Sequence, residues 1–236
     1  MAQASTKDKI ILVLDVSSRD EAMKLVRPLH EHVGMFKVGM QLFTSEGPSI
    51  VREIVDLGGK VFLDLKFHDI PNTVCHGVLE AARLGVSLMT IHAAGGRAMM
   101  EAVSRELQDK FGDRKPIVAA VTVLTSLNDA GLREVGIERT VVSQVVAMAK
   151  LAEACGIGGV VCSPQEIQLV RGAVGPAFKI VTPGIRMPGQ SAHDQQRLAT
   201  PSEALSAGAD YIVVGRAVTA ARDPREALTT LLDSIP

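Results

Sequence analysis

Two carboxylates and one ammonium lie within six residues of each other, at Asp64, Lys66 and Asp69. They follow residues 60–63, an apolar run typical of a buried strand. Because residues two apart on a strand share a face, Asp64 and Lys66 are expected to point the same way. Asp69 falls in the next loop, which Pro71 stiffens before a helix that should begin near residue 72 or 73.

Such a cluster is costly to bury unless its members pair, and in a cleft it is more often catalytic than structural. The alternative is a solvated edge strand with an ordinary ion pair, but the preceding run is too apolar for an edge. Asp15, Asp64 and Asp69 could also bind Mg²⁺. Lys37 and Lys66 would repel a cation there, so an ion network is favoured and no metal is expected.

The composition predicts one folded domain with a full hydrophobic core. The 236 residues suffice for a single α/β barrel, and 47% of them are hydrophobic. A net charge of −1 gives no electrostatic footprint for nucleic acid or an anionic membrane. The first nine residues lack a signal-peptide core, and the run 10–14 is too short to span a bilayer. Cys75, Cys155 and Cys162 show no C-x-x-C spacing, so reduced thiols of a cytoplasmic protein are expected.

Eight apolar, strand-like runs alternate with segments of helical periodicity. The runs are 10–14, 35–38, 61–65, 87–91, 117–121, 159–161, 178–181 and 211–214. The helical segments are 19–31, 45–57, 73–84, 97–110, 140–154, 164–171, 201–207 and 224–232. This alternation indicates a parallel sheet covered on both faces, and eight units predict a single (β/α)8 TIM barrel over residues 1–236. A doubly wound sheet is the alternative, but no G-x-G-x-x-G follows the first run.

Chemistry in such a barrel belongs at the carboxyl ends of the strands. The last two runs are followed there by Gly184 with Arg186, and by Gly215 with Arg216. Glycine lets a backbone approach an anion and arginine binds its oxygens, so a phosphate site is predicted. The alternative is a barrel-closing turn with surface arginines. Residues 187–200 lack a clear period and are interpreted as a lid that carries Gln190, Gln195 and Gln196.

The segment Asp-Leu-Lys-Phe-His-Asp-Ile-Pro-Asn-Thr at residues 64–73 resembles the signature of the orotidine 5′-phosphate decarboxylase family. Further similar motifs follow in the family's order over nearly the whole chain: Leu14-Asp15, Phe36-Lys37-Val38-Gly39, Leu124-Thr125-Ser126, Thr182-Pro183-Gly184-Ile185-Arg186, Asp194-Gln195 and Val214-Gly215-Arg216. Met187-Pro188 is a local variation within the predicted lid.

The resemblance implies a (β/α)8 barrel that works as a homodimer with both active sites at the subunit interface. It implies conversion of orotidine 5′-monophosphate to UMP and CO2 without cofactor or metal, as the last step of de novo UMP synthesis. The implied catalytic network comprises Lys37, Asp64, Lys66, which protonates C6 of the pyrimidine, and Asp69, which reaches the partner's site. The implied substrate-binding residues are Asp15 and Lys37 at the ribose, Asp64, Ile70 and Thr73, Thr125 and Ser126 at the pyrimidine, and Arg186, Gln195, Gly215 and Arg216 at the phosphate.

Two alternatives stay open from the sequence. A Mg²⁺-dependent 3-keto-gulonate 6-phosphate decarboxylase also carries an Asp-x-Lys strand, but residues 68–73 argue against it. A non-catalytic sensor of phosphorylated ligands could have kept the barrel. The complete set of Lys37, Asp64, Lys66 and Asp69 argues against a sensor.

Overall fold

The computed structural model describes residues 5–186 and 198–235, and its eight parallel strands close into a barrel in chain order. The predicted (β/α)8 TIM barrel is therefore confirmed. Each strand lies within two residues of its predicted bounds. The strands are β1 Ile10–Val13, β2 Met35–Gly39, β3 Val61–Phe67, β4 Leu88–His92, β5 Ile117–Val121, β6 Gly159–Val161, β7 Lys179–Thr182 and β8 Tyr211–Val214.

Helices follow the strands on the outside of the barrel. They are α1 Arg19–Leu29, α2 Met40–Glu46, α3 Pro48–Asp56, α4 Pro71–Arg83, α5 Gly96–Phe111, α6 Asp129–Glu134, α7 Val141–Ala154, α8 Ile167–Arg171, α9 Pro201–Ser206, α10 Arg216–Thr219 and α11 Pro224–Asp233. The segment predicted as one helix over 45–57 belongs to two, because Gly47 has a φ of 65° and Pro48 starts α3. The short helices α6 and α10 were not predicted. No helix in the described ranges is long and apolar enough to cross a membrane.

Two apolar layers hold the barrel together. The larger lies between the strands and the helices, and the smaller fills the barrel interior. The interior side chains are Ile11, Val13, Met35, Phe62, Leu88, Ala119, Val181 and Val213. Val13, Phe62, Val181 and Val213 also line the main cavity, so the packed interior forms the floor of a pocket that opens among the loops following the strands. A single domain over the whole chain stays a prediction.

The pairing of β3 with β4 is irregular where the charged cluster begins. Leu63 pairs with Met89 and Phe67 with Ile91, so four steps along β3 match two along β4. Within this bulge Lys66 has a φ of 54°, the one positive φ among the described non-glycine residues. Asp64 and Lys66 do meet, as predicted, but a bulge and not regular pleating brings them together. Helix α4 begins at Pro71, one or two residues earlier than predicted.

Candidate active site

Four charged side chains from three adjacent strands form a chain of alternating sign. The Lys37 ammonium lies 3.5 Å from Asp15 Oδ1 and 3.5 Å from Asp64 Oδ2. The Lys66 ammonium donates to Asp64 Oδ1 at 2.8 Å. Asp15 follows β1, Lys37 lies on β2, and Asp64 and Lys66 lie on β3. The parallel barrel thus brings residues far apart in sequence to one cluster, as the strand ends predicted.

Gly39 leaves the space that the Lys37 side chain uses. A Cβ at this position would stand 3.0 Å from Lys37 Nζ and 3.7 Å from Asp15 Oδ1. The first distance is shorter than normal van der Waals contact, so a side chain at this position would push the ammonium aside. A glycine at the end of β2 therefore permits Lys37 to lie between two carboxylates.

Asp64 is the most buried member of the cluster, with 9% of its surface exposed. Burial by itself would raise the pKa of this carboxyl group. The charges of Lys37 and Lys66 and the hydrogen bonds from Lys66 and Thr90 outweigh burial, so the pKa of Asp64 lies below its ordinary value. Asp64 is accordingly ionised at neutral pH, and the cluster carries balanced charges.

The cluster faces a cavity of about 560 Å³ at the carboxyl ends of the strands. Eight of the predicted site residues line it: Asp15, Lys37, Asp64, Lys66, Thr125, Arg186, Gly215 and Arg216. Burial, and then the nearby charge of Arg216, lower the pKa of Arg186. Two guanidinium groups that repel each other in one cavity are suited to an anion, which would relieve that repulsion.

The other predicted site residues within the described ranges do not line this cavity. Asp69, Ile70 and Thr73 lie exposed in the loop after β3 and the first turn of α4. Asp69 Oδ1 accepts a hydrogen bond from the Ile70 backbone N–H at 2.6 Å. Ser126 is exposed and does not line the cavity. The predictions for Gln190, Gln195 and Gln196 lie outside the described residues.

Sequence reasoning missed Thr90 and left His92 undecided. Thr90, on β4, is fully buried; its hydroxyl donates to Asp64 Oδ1 at 2.9 Å and accepts from the Lys66 backbone N–H at 2.9 Å. Its signal was a single polar residue inside the apolar strand Leu88–His92. The ring of His92 lies 5.2 Å from that of His68, centre to centre. Burial, then the charges of His68 and Lys66, lower the pKa of His92, so its ring is neutral at pH 7.

Metal ligands do not cluster in the described ranges: no three His, Cys, Asp or Glu side chains there could together hold an ion. Asp15 and Asp64 instead share the ammonium of Lys37. The three cysteines Cys75, Cys155 and Cys162 are buried, and Cys162 lines the cavity.

Comparison with known proteins gives a consistent result. Residues 8–231 match the family described as Orotidine 5'-phosphate decarboxylase / HUMPS. An orotidine 5'-phosphate decarboxylase of Geobacter sp. (strain M21) is 49% identical, over 100% of this chain and 99% of that protein. That of Syntrophomonas wolfei is 50% identical, over 97% of this chain and 98% of that protein. The crystal structure of the Lactobacillus acidophilus orotidine 5'-phosphate decarboxylase superposes with a TM-score of 0.84 at 38% identity, covering 95% and 97% of the two chains. The family resemblance expected from residues 64–73 is therefore confirmed, and this chain belongs to the orotidine 5'-phosphate decarboxylase / HUMPS family.

Proposed function

We propose that this chain is a carboxy-lyase that converts orotidine 5′-monophosphate to UMP and CO2, the last step of de novo UMP synthesis. One observation carries the proposal. The Lys66 ammonium is held at 2.8 Å by the buried Asp64 in a cavity that also contains the guanidinium groups of Arg186 and Arg216. The relatives at 49–50% identity over almost their full length bear the same name, which supports this substrate.

The residue types fit the difficulty of this reaction. Loss of CO2 from C6 of the pyrimidine leaves an sp² carbanion that the ring cannot delocalise as an enolate. A preorganised ammonium stabilises charge at the place where it develops, and the same group can deliver the proton. We assign both tasks to Lys66, which is fixed by Asp64 and is 26% exposed in its side chain, so that a substrate can reach it.

Asp64 acts on the carboxylate of the substrate, before CO2 leaves. Its pKa lies below the ordinary value, so it faces the substrate carboxylate as an anion. Repulsion between the two carboxylates disfavours the bound substrate and is relieved when CO2 leaves. Lys37 limits this repulsion, since it lies 3.5 Å from both Asp64 and Asp15, and we assign Asp15 and Lys37 to the ribose hydroxyls.

The loops after β7 and β8 form the proposed phosphate site. Arg186 and Arg216 supply the charge, and Gly215 lines the cavity with a backbone that no side chain covers. Binding a phosphate far from C6 contributes remote binding energy to the reaction. Gln195 is proposed to complete this site from the segment outside the described residues. At the pyrimidine edge we place Thr125, which lines the cavity, together with Ser126.

We further propose that a second copy of the chain completes each site. Asp69, Ile70 and Thr73 are exposed and stand away from their own chain's cavity, and Ile70 exposes 67% of its surface. In a two-fold dimer each of these segments can reach the partner's cavity, where Asp69 extends the charge network beyond Lys66. No metal or organic cofactor is needed for this scheme, and a cytoplasmic location is proposed with it.

A turnover assay with orotidine 5′-monophosphate tests the activity. The purified chain should release CO2 and form UMP in equal amounts, whereas a sensor of phosphorylated ligands would bind the nucleotide without turnover. The same assay with a sugar phosphate keto acid and Mg²⁺ distinguishes this activity from that of the Mg²⁺-dependent 3-keto-gulonate 6-phosphate decarboxylase. No turnover of the nucleotide by folded chain would refute the proposal.

Mixing two inactive variants tests the shared site. Lys66→Ala and Asp69→Ala should each be nearly inactive, and subunit exchange should restore activity, because each heterodimer contains one site built from unmutated residues. At equal mixing about half the dimers are mixed, so roughly a quarter of wild-type activity is the ceiling. Absence of recovery, with subunit exchange shown by tagged chains, would mean that Asp69 serves its own chain.

A further inference from the structure

Thr90 stands at the one place in the described barrel where strand pairing shifts register. Between Leu63 and Phe67 the bulge in β3 leaves backbone groups without the regular partners of a parallel ladder. The Lys66 N–H, in this bulge, donates to the Thr90 hydroxyl at 2.9 Å in place of a strand carbonyl. Thr90 is fully buried, so water does not compete for these bonds.

The Thr90 hydroxyl accepts one hydrogen bond and donates another. A hydroxyl has one donor and two acceptor positions. Since the Lys66 N–H occupies an acceptor position, the single hydroxyl proton remains for Asp64 Oδ1, at 2.9 Å. The same oxygen of Asp64 accepts from Lys66 Nζ at 2.8 Å. One hydroxyl therefore touches the backbone of Lys66 and the carboxylate that holds the side chain of Lys66.

We infer that Thr90 is a positioning residue for decarboxylation: its hydroxyl fixes the β3 bulge at Lys66 and orients the Asp64 carboxylate toward the Lys66 ammonium. This inference rests on the proposed function, because it gives Thr90 a task in the same reaction. Without the hydroxyl, the bulge loses its cross-strand bond and Asp64 can rotate. A displacement of the ammonium by about 1 Å is enough to reduce turnover on the order of a hundredfold.

The electrostatics agree with this role. The hydrogen bond from Thr90 is one of the interactions that lower the pKa of Asp64 against the effect of burial. Removing the bond should therefore raise the pKa of Asp64 and move the acid limb of the pH–kcat profile to higher pH. The proposed mechanism requires Asp64 in its ionised form, so the shift reports directly on the Thr90–Asp64 contact.

The test compares substitutions that keep or remove the hydroxyl. Thr90→Val keeps the shape and removes the hydroxyl, and Thr90→Ser keeps the hydroxyl and removes a methyl group. Thr122→Val is the matched control, since Thr122 is also buried and its hydroxyl donates at 2.8 Å to the Val161 carbonyl, outside the charged cluster. Thermal unfolding of all variants measures the structural cost separately from kcat and KM.

Thr90→Val should lower kcat about tenfold to a hundredfold, change KM by less than about threefold, and shift the acid limb upward. Thr90→Ser and Thr122→Val should keep kcat and the pH profile of the wild type. If Thr90→Val does not fold, Thr90→Ala, which also lacks the hydroxyl, takes its place against Thr90→Ser. Unchanged kcat and pH profile without the hydroxyl, or equal loss in the serine variant, would overturn the inference.

Failure of the proposed function can be distinguished from failure of the inference about Thr90. A wild-type chain that does not decarboxylate the nucleotide refutes that function, and the positioning role is then measured in crystals. Wild type and Thr90→Ser should keep the contact of Lys66 Nζ with Asp64 Oδ1, and Thr90→Val should lose it. Retention of this contact in Thr90→Val would overturn the inference without any activity measurement.

Discussion

Replacing Lys66 by alanine removes the one group that we assign both to charge stabilisation and to proton delivery. The structure shows that an anion approaches this ammonium to 2.8 Å, at Asp64 Oδ1. At that distance and an effective dielectric constant of about 20, the attraction to a unit charge is about 6 kcal/mol. The side chain is 26% exposed, so we halve the attraction for solvent screening to about 3 kcal/mol. Loss of the proton donor contributes a further factor of about 10²–10⁴. We therefore expect kcat to fall at least about 10⁴-fold.

The assay pairs turnover with the affinity for UMP. UMP lacks the carboxylate that reacts near Lys66, and we propose that Arg186 and Arg216 hold its phosphate. The affinity for UMP should therefore change less than about threefold in Lys66→Ala. Lys60→Ala is the control, because Lys60 is exposed just before β3 and should keep full activity. Near-wild-type turnover in Lys66→Ala would remove Lys66 from the mechanism. If Lys66→Ala lost UMP affinity and thermal stability as well as turnover, the role of Lys66 would be structural.

Three further outcomes follow from the same geometry. Exhaustive treatment with EDTA should leave turnover unchanged, because lysines balance the carboxylates; a loss restored by Mg²⁺ would place the chain with the keto-gulonate branch. Arg216→Ala should weaken binding of the phosphorylated substrate by about 2–4 kcal/mol and barely affect turnover of unphosphorylated orotidine; equal effects on both would contradict the phosphate assignment. Gly39→Ala should lower kcat, because the new Cβ would stand 3.0 Å from Lys37 Nζ. The control is Gly172→Ala, because the nearest atom to a Cβ at that position is 3.4 Å away. Equal kcat in both variants would refute the steric role of Gly39.

The barrel was predictable because its signal is periodic and local. Eight apolar runs alternate with helical segments, and a parallel sheet covered on both faces requires such runs. The helix limits were less predictable where one residue decides them: the positive φ of Gly47 separates α2 from α3, a conformation that apolar periodicity does not report. Short helices such as α6 and α10 are too brief to show a period.

The site was predictable to the extent that strand ends meet in space. Asp15, Lys37 and Lys66 come together because parallel strands end at one mouth. The bulge at Lys66 was not predictable, since it depends on the register between β3 and β4 and on a hydroxyl from Thr90, 24 residues further along the chain. The contacts of Asp69 were not predictable from strand ends, because on the proposed function they lie in the site of a second subunit.

The net charge of the residues that line the cavity bears on both substrate binding and decarboxylation. Among the described residues that line it, Asp15 and Asp64 carry negative charge, and four residues carry positive charge: Lys37, Lys66, Arg186 and Arg216. The positive excess of two matches a phosphate group, which carries about two negative charges near pH 7. On the proposed function, the residues of one chain alone would neutralise the product UMP, whereas the substrate brings one more negative charge, on the carboxylate next to Asp64. Adding Asp69 from a partner makes this imbalance larger. On the proposed function, the phosphate therefore supplies the affinity that holds an unfavourable carboxylate in place. Loss of neutral CO2 moves the negative charge from beside Asp64 to C6, where it is neutralised by a proton from the Lys66 ammonium.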